Sequence, residues 1–490
     1  MKKTIIIGGG LGGLSCAINL AVNGYRVTLI EKEAELGGKL TREVHGDYSF
    51  DLGPSTITMM SAFDEVFKAA GRKREDYLTV YPINPMTRNI FADGSIVDLS
   101  SNIEQMEEQI SRYSKEDARQ YRSFLQESNR LYTISEQEFL NRLLVRKRDR
   151  FNYNLIKGFI GIQPFTSIQN LLEEYFQHPN TLAMFGRYAT YVGSSPYQTP
   201  AVFSMMAHLE GSLGIYGIKG GTYYIVEAFE KLANEVGVTI KKNEQVKKIC
   251  VSNKKVTGIE TDHGFYEADQ VVANGDALAI YRELIEENDR PSMTNKEIDR
   301  IEPSLSGFVM LLGVKKQFSL LKHHTVFFPE DYQREFIDLF DQKRAVEDPT
   351  IYICYSGYSD SELCSKGKSN LFVLVNAPAQ TKHVHWDELK DNYASRIKTK
   401  LENKGLINLV DSVEIQKLST PDNLQKRTGA YKGAIYGMSS NSFRQAFFKV
   451  NNKAKDIGGL WFVGGSTHPG GGTPIVTKSG QLVAKAIIDS

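Results

Sequence analysis

The sequence predicts an α/β fold built on a doubly wound parallel sheet, and three observations predict it. The first thirty residues read as one strand–helix–strand unit around a glycine-rich loop. The last thirty return to a strand, a second glycine-rich loop and a helix. Between them, strand signals fade and then recur, so the sheet is assembled from separated pieces of chain.

In order along the chain, residues 4–7 (Thr-Ile-Ile-Ile) are a short buried strand, and residues 8–13 a tight loop. Leu14, Ala17, Ile18, Ala21 and Val22 recur at helical spacing. Asn23-Gly24 ends that helix, and residues 25–30 form the second strand. Residues 103–212 are rich in Glu, Gln, Arg, Leu and Tyr, with helical periods and few strand signals, and read as a helical insertion. Strands return at 238–240, 246–251, 256–260 and 270–273, with turns at Asn253-Lys254 and His263-Gly264. Apolar runs at 308–314, 350–355 and 370–376 are strand candidates that alternate with charged helices such as 386–401. Residues 460–463 are the last strand. The expected organisation is a discontinuous nucleotide-binding domain (1–75, 213–295 and 450–490), a mixed-sheet second domain (76–102 and 296–449) and a helical lid (103–212).

At roughly 150 residues per domain, a chain of 490 residues suggests about three. With 59 basic and 58 acidic residues the net charge is +1, which gives no reason to expect a nucleic-acid partner. Apolar residues at 41% and charged residues at 24% are ordinary globular usage and exclude disorder of the whole chain. Cys16, Cys250, Cys354 and Cys364 form no C-x-x-C pair and read as buried thiols of a reducing compartment. Lys2-Lys3 before three isoleucines imitates the start of a signal peptide. The apolar run stops at Gly8, however, and no small-residue cleavage site follows. No stretch of 18 apolar residues occurs. The expected location is cytoplasmic.

Gly8-x-Gly10-x-x-Gly13 follows a strand and opens a helix. The first glycine permits the turn, the second lets a pyrophosphate approach the backbone, and the third lets helix and strand pack closely. The helix N-terminus then faces the anion. Glu31 ends the second strand, where a carboxylate can accept from ribose hydroxyls. Gly37-Gly38-Lys39 and Phe50-Asp51-Leu52-Gly53-Pro54-Ser55 follow. A nicotinamide dinucleotide does not need these segments; a flavin dinucleotide, lying extended, needs the additional backbone contacts that Gly38, Lys39 and Gly53 offer. At the other end, residues 460–474 (LWFVGGSTHPGGGTP) present a loop with few bulky side chains before a helix. Such a loop can press backbone N–H groups against an isoalloxazine ring. The cofactor these motifs point to is FAD.

These motifs, with YVGSSPYQTPAVFSMM (191–206), GIKGGTYYIVEAFEKLANEVGVTI (217–240) and GAIYG (433–437), resemble over essentially the whole chain the FAD-dependent carotenoid desaturase and oxidase family, a branch of the amine-oxidase-like flavoproteins. Within it, YVGSSPYQTPAV, GAIYG and PGGGTPIVT resemble the terminal methyl oxidases of thirty-carbon diapocarotenoids, the diaponeurosporene oxygenase branch, more than the dehydrosqualene desaturases. The resemblance implies that Gly8, Gly10 and Gly13 hold the FAD pyrophosphate and Glu31 the adenosine ribose. It implies that the Val246 backbone meets the adenine. Gly465 and residues 470–475, with Gly472 and Ile475, would lie beside the isoalloxazine. Lys39 stands where the family more often has Arg. The implied substrate is a long hydrophobic polyene collected from a membrane surface, with the protein peripherally attached.

Arg142, Arg146, Lys147, Arg148 and Arg150, beside Phe151, Tyr153, Leu155, Ile156, Phe159, Ile160 and Phe165, read either as a membrane-facing patch or as a solvated helix end against core residues. His468, in the C-terminal loop, is the histidine expected nearest the chemistry; His208 reads as a core or pocket residue. His323-His324 and His383 with His385 lack acids at ligand spacing, so no metal is expected. Tyr188, Tyr191, Tyr197, Tyr216, Tyr223 and Tyr224 read mostly as packing, some lining a tunnel. No acid–base pair is conspicuous, and no catalytic residue is assigned. The oligomeric state stays open. Three alternatives stand beside terminal oxidation: a carotenoid desaturase, an oxidase of small polar amines, and a non-catalytic isoprenoid carrier of the GDP-dissociation-inhibitor type.

Overall fold

The computed structural model describes residues 2–143 and 153–490, and side chains for 2–143 and 157–490. Its N-terminal sheet has five parallel strands in the order Leu460–Phe462, Gln270–Ala273, Lys3–Ile7, Arg26–Ile30 and Thr239–Lys241. Lys3–Ile7 is central. Thr4 to Ile7 are all buried, as a strand covered on both faces requires. On one face it packs under the helices Leu11–Val22, Tyr224–Glu235 and Thr473–Ile488 through Leu14, Ile18, Phe229 and Val483. On the other lies the antiparallel sheet Val246–Ser252, Lys255–Thr261 and Gly264–Glu267. The first glycine loop is shorter than expected: the helix begins at Leu11, so Gly13 lies in its first turn.

A seven-stranded mixed sheet runs in the order Val413–Ser419, Ser306–Val314, Ser369–Ala377, Ile351–Tyr355, His324–Phe327, Thr87–Ile90 and Ile96–Leu99. The hairpin Thr41–His45 and Tyr48–Leu52 packs against this sheet: Tyr48, Phe50 and Leu52 bury against Leu311, Cys354 and Phe372. The described residues of 103–212 contain helices and no strand. The longest, Lys115–Ser135, is capped by the Ser114 side chain on the Asp117 N–H. Arg146, Lys147, Arg148, Arg150 and Phe151 lie outside the described residues, as do the side chains of Tyr153, Leu155 and Ile156. No described helix is long and apolar enough to cross a membrane. All four cysteines are free. Cys250 is only half-buried, unlike the other three, because its strand faces solvent on one side.

Candidate flavin site

The parallel sheet sets the two glycine loops side by side. Gly8 takes φ +92°, and a Cβ there would overlap the Asn274 carbonyl; a Cβ on Gly13 would overlap the Gly8 carbonyl. Only glycine permits this turn and this approach. The helix Leu11–Val22 has neither a side-chain cap nor a first-turn carboxylate, so its positive end is left for an anion. Gly10 also pairs with Gly37, whose N–H donates to the Gly9 carbonyl at 2.9 Å, and Gly38 rests on Gly10.

Glu31 is buried. Its Oε2 accepts from the Gly9 N–H at 2.8 Å and its Oε1 from the Glu33 N–H at 3.0 Å. Each oxygen keeps a second lone pair for a ligand. The Glu244 N–H donates to the Glu31 carbonyl at 2.9 Å, which brings buried Val246 to the same end.

Lys39 turns its Nζ onto the carbonyls of Ala434 and Ile435. Burial lowers its pKa, against the raising influence of Asp276. Gly53 lies against the Lys39 carbonyl. Asp276 was not read from the sequence as a site residue. Its Oδ1 caps the helix Ala277–Leu284, while its buried Oδ2 has no partner among the described residues. Its only local signal was an aspartate after a strand, which is equally the signal of an ordinary helix cap.

The C-terminal loop closes the site. Gly465 packs on Gly471 and Val476, and Gly472 heads the helix Thr473–Ile488, which again has no side-chain cap and no first-turn acid. Ile475 reaches the helical region and packs with Leu131, Leu140 and Val202. His468 also points there: its Nε2 meets the carbonyls of Phe139 at 2.9 Å and Arg142 at 2.8 Å. The ring nearest the loop by sequence is thus a tie between loop and helices. Burial holds its pKa below the usual histidine range.

The other candidates disperse. The His208 ring packs on Tyr132. The Tyr223 hydroxyl donates to the Leu36 carbonyl, and Tyr224 is exposed beside Arg42. Tyr197 packs on Phe336, and Tyr216 pairs with Pro82 in a two-stranded sheet. His323 and His324, expected to lack partner ligands, have buried Cys354 beside them, with donor atoms within 4.8 Å of one another. The sequence hid this because Cys354 comes from the neighbouring strand. Burial lowers the His323 pKa to about 4 and raises the Cys354 thiol to about 12.

The family model for flavin containing amine oxidoreductases matches residues 11–488. The chain belongs to this family. It is an FAD-dependent oxidoreductase with the amine-oxidase fold. It is 34% identical over 492 residues to a 4,4'-diaponeurosporene oxygenase of Staphylococcus haemolyticus, covering 99% of this chain and 97% of that one. It is 35% identical over 494 residues to a 1-hydroxycarotenoid 3,4-desaturase of a Flavobacterium, covering 99% of both. Among solved structures, wild-type putrescine oxidase bound to putrescine superposes with a TM-score of 0.64 at 12% identity, covering 100% of this chain and 99% of that one. A likeness at that identity concerns the fold alone.

Proposed function

We propose that this flavoenzyme oxidises a carotenoid, converting the terminal methyl of a thirty-carbon diapocarotenoid such as 4,4'-diaponeurosporene to an aldehyde. The balance is one methyl plus dioxygen giving one aldehyde plus water. The observation that carries this reading is end-to-end identity of 34% with an enzyme named for that substrate. A second reading, desaturation of a carotenoid, has equal support from the 35% identity to a named desaturase. The flavin family and the intact glycine loops disfavour a non-catalytic isoprenoid carrier.

In this reading, residues 1–75, 213–295 and 450–490 form the FAD domain, 76–102 and 296–449 the substrate domain, and 103–212 the lid. The Gly8-Gly10-Gly13 turn and its helix end receive the pyrophosphate. Glu31 accepts from the adenosine ribose, and the Val246 backbone faces the adenine. Gly38 and Gly53 line the extended cofactor, while Lys39 shapes the loop at Ala434 and Ile435 rather than reaching outward. Gly465, Gly472 and Ile475 border the isoalloxazine. When bound, FAD supplies the redox chemistry. The apolar wall that Ile475 shares with Leu140 and Val202 excludes water from the reacting carbon.

The exposed Ile160, Phe165 and Phe448 form the membrane-facing patch in this reading; Phe165 stacks on Phe443 with ring centroids 4.8 Å apart. Exposed aromatic side chains beside a basic stretch suit an anionic bilayer surface.

The test is expression in one bacterium that makes diaponeurosporene and in another that makes dehydrosqualene, with pigments read by absorption and mass. A product with one oxygen gained and two hydrogens lost supports terminal oxidation. Stepwise loss of hydrogen pairs without oxygen overturns it in favour of desaturation.

A further inference from the structure

A buried polar cluster lies between the helical region and the seven-stranded sheet, away from the glycine loops. Arg187 opens the 3₁₀ segment Arg187–Val192 and is 7% exposed. Its Nη1 donates to the Tyr191 hydroxyl at 3.1 Å. Tyr191 in turn donates to Glu210 Oε1 at 2.6 Å, and Tyr188 donates to Oε2 at 3.1 Å. The Glu210 carboxylate is thereby taken up from both sides. On the sheet side, His324 Nδ1 pairs with the Tyr352 hydroxyl at 2.8 Å, and Tyr352 pairs with the Ser55 hydroxyl at 2.5 Å.

Three polar atoms of this cluster have no partner among the described residues: Arg187 Nε, His324 Nε2 and the Tyr332 hydroxyl. Arg187 is close enough to both His324 and Tyr332 to influence their titration. The Tyr332 ring lies against Gly186, the residue before Arg187. A buried polar atom left unpaired costs about 1–3 kcal/mol, so three around one point need an explanation.

We propose that Arg187, His324 and Tyr332 form a recognition site for an oxygen-bearing end of the polyene, a hydroxyl or an aldehyde oxygen. This rests on the carotenoid reading above. The donors select an acceptor, and the guanidinium faces its own buried counter-charge in Glu210, so a neutral oxygen suits the site better than a carboxylate. A protonated amine would meet a cation there, which separates this chain's chemistry from that of amine substrates. The site is also near the flavin loop. The segment Arg187–Val192 leads to Gly193, which packs on Tyr436, and Tyr436 covers Gly471. At roughly 2 Å per residue the segment spans on the order of 12 Å. An oxygen held by Arg187 therefore puts carbons a few bonds from the chain end, rather than the middle of the polyene, at the flavin.

The test uses the FAD-loaded enzyme and three polyenes matched in length, ending in a methyl, a hydroxyl or an aldehyde. Wild type is expected to show a KM about tenfold lower for the oxygenated polyenes. Tyr332→Phe keeps the ring and removes only the unpartnered hydroxyl. It should raise the KM for the oxygenated polyenes about 5- to 10-fold, leaving kcat and the hydrocarbon KM within twofold. Arg187→Lys keeps the charge facing Glu210 but removes Nε, and should act in the same direction. Equal KM changes for all three polyenes would overturn the proposal while leaving the carotenoid reading intact. If no polyene reacts although flavin is bound, the carotenoid reading falls and this proposal with it.

Discussion

Gly480 in the last helix rests directly on the backbone of Gly12 in the first: a Cβ at position 480 would overlap the Gly12 carbonyl oxygen. The two helices carry the two glycine loops on their N-termini, so this crossing fixes the loops relative to one another. Gly480→Ala must separate them. Overpacking of this kind costs about 1–3 kcal/mol. The expected result is a lower melting temperature of the holoenzyme and faster flavin release, read by the rise of free-flavin fluorescence; unchanged flavin retention would contradict it.

Glu31→Gln keeps the shape and removes the charge that accepts from Gly9 and, in the proposed complex, from the ribose. Hydrogen bonds to a charged acceptor contribute about 1.5–3 kcal/mol. FAD binding to the apoprotein should weaken by about 10- to 100-fold in a fluorescence titration, with the melting temperature of the apoprotein changing far less.

The thiols should divide by burial. Burial raises the pKa of Cys16, Cys354 and Cys364 well above neutrality, while Cys250 is half-buried beside Glu260. A disulfide reagent at pH 8 should titrate one thiol in the native protein and four after denaturation. Cys250→Ser should abolish the native reaction.

Lys449 donates to the Ser440 hydroxyl at 3.3 Å, and burial lowers its pKa from 10.5 to about 8. A cation whose pKa is depressed on folding opposes folding at low pH. The opposition is complete below about pH 8 and gone above about pH 10.5. Lys449→Met should therefore be more stable than the parent at pH 7, by about 1–2 kcal/mol once residual exposure is allowed for. The advantage should shrink as the pH rises through that window. Paired denaturant melts at pH 7 and pH 10 read the difference.

Phe165→Ser with Phe448→Ser should reduce co-sedimentation with anionic vesicles about tenfold and leave activity on detergent-dispersed substrate within twofold. Equal loss in both assays would place the two rings in the core's service instead.

The parallel strands were legible because they are written locally. Thr4 to Ile7 and Gln270 to Ala273 are short branched or apolar runs bounded by Gly and Asn. The first helix announced itself by period, but its start did not, since Leu11 and Gly12 carry no cap signal. The hairpin from Thr41 to Leu52 went unread because its outward residues are charged and its buried ones alternate only briefly. The strand His324–Phe327 owes its place to Thr87–Ile90, more than 200 residues earlier, through pairs such as Thr325 with Arg88. The Arg187–Glu210 network was equally hidden. Neither residue belongs to a motif, and their meeting depends on two turns of irregular helix between them.

The five-stranded sheet has a consequence for biosynthesis. Its edge strand Leu460–Phe462 and the helix that seats Gly480 on Gly12 leave the ribosome among the last parts of this sequence. Until then the first glycine loop has lost half its cradle, and the apolar face of Leu11–Val22 stands uncovered beside a growing chain of several hundred residues. Loading with flavin is thus a late event, and the nascent chain passes through a long interval in which a chaperone, rather than the cofactor, must shield that face.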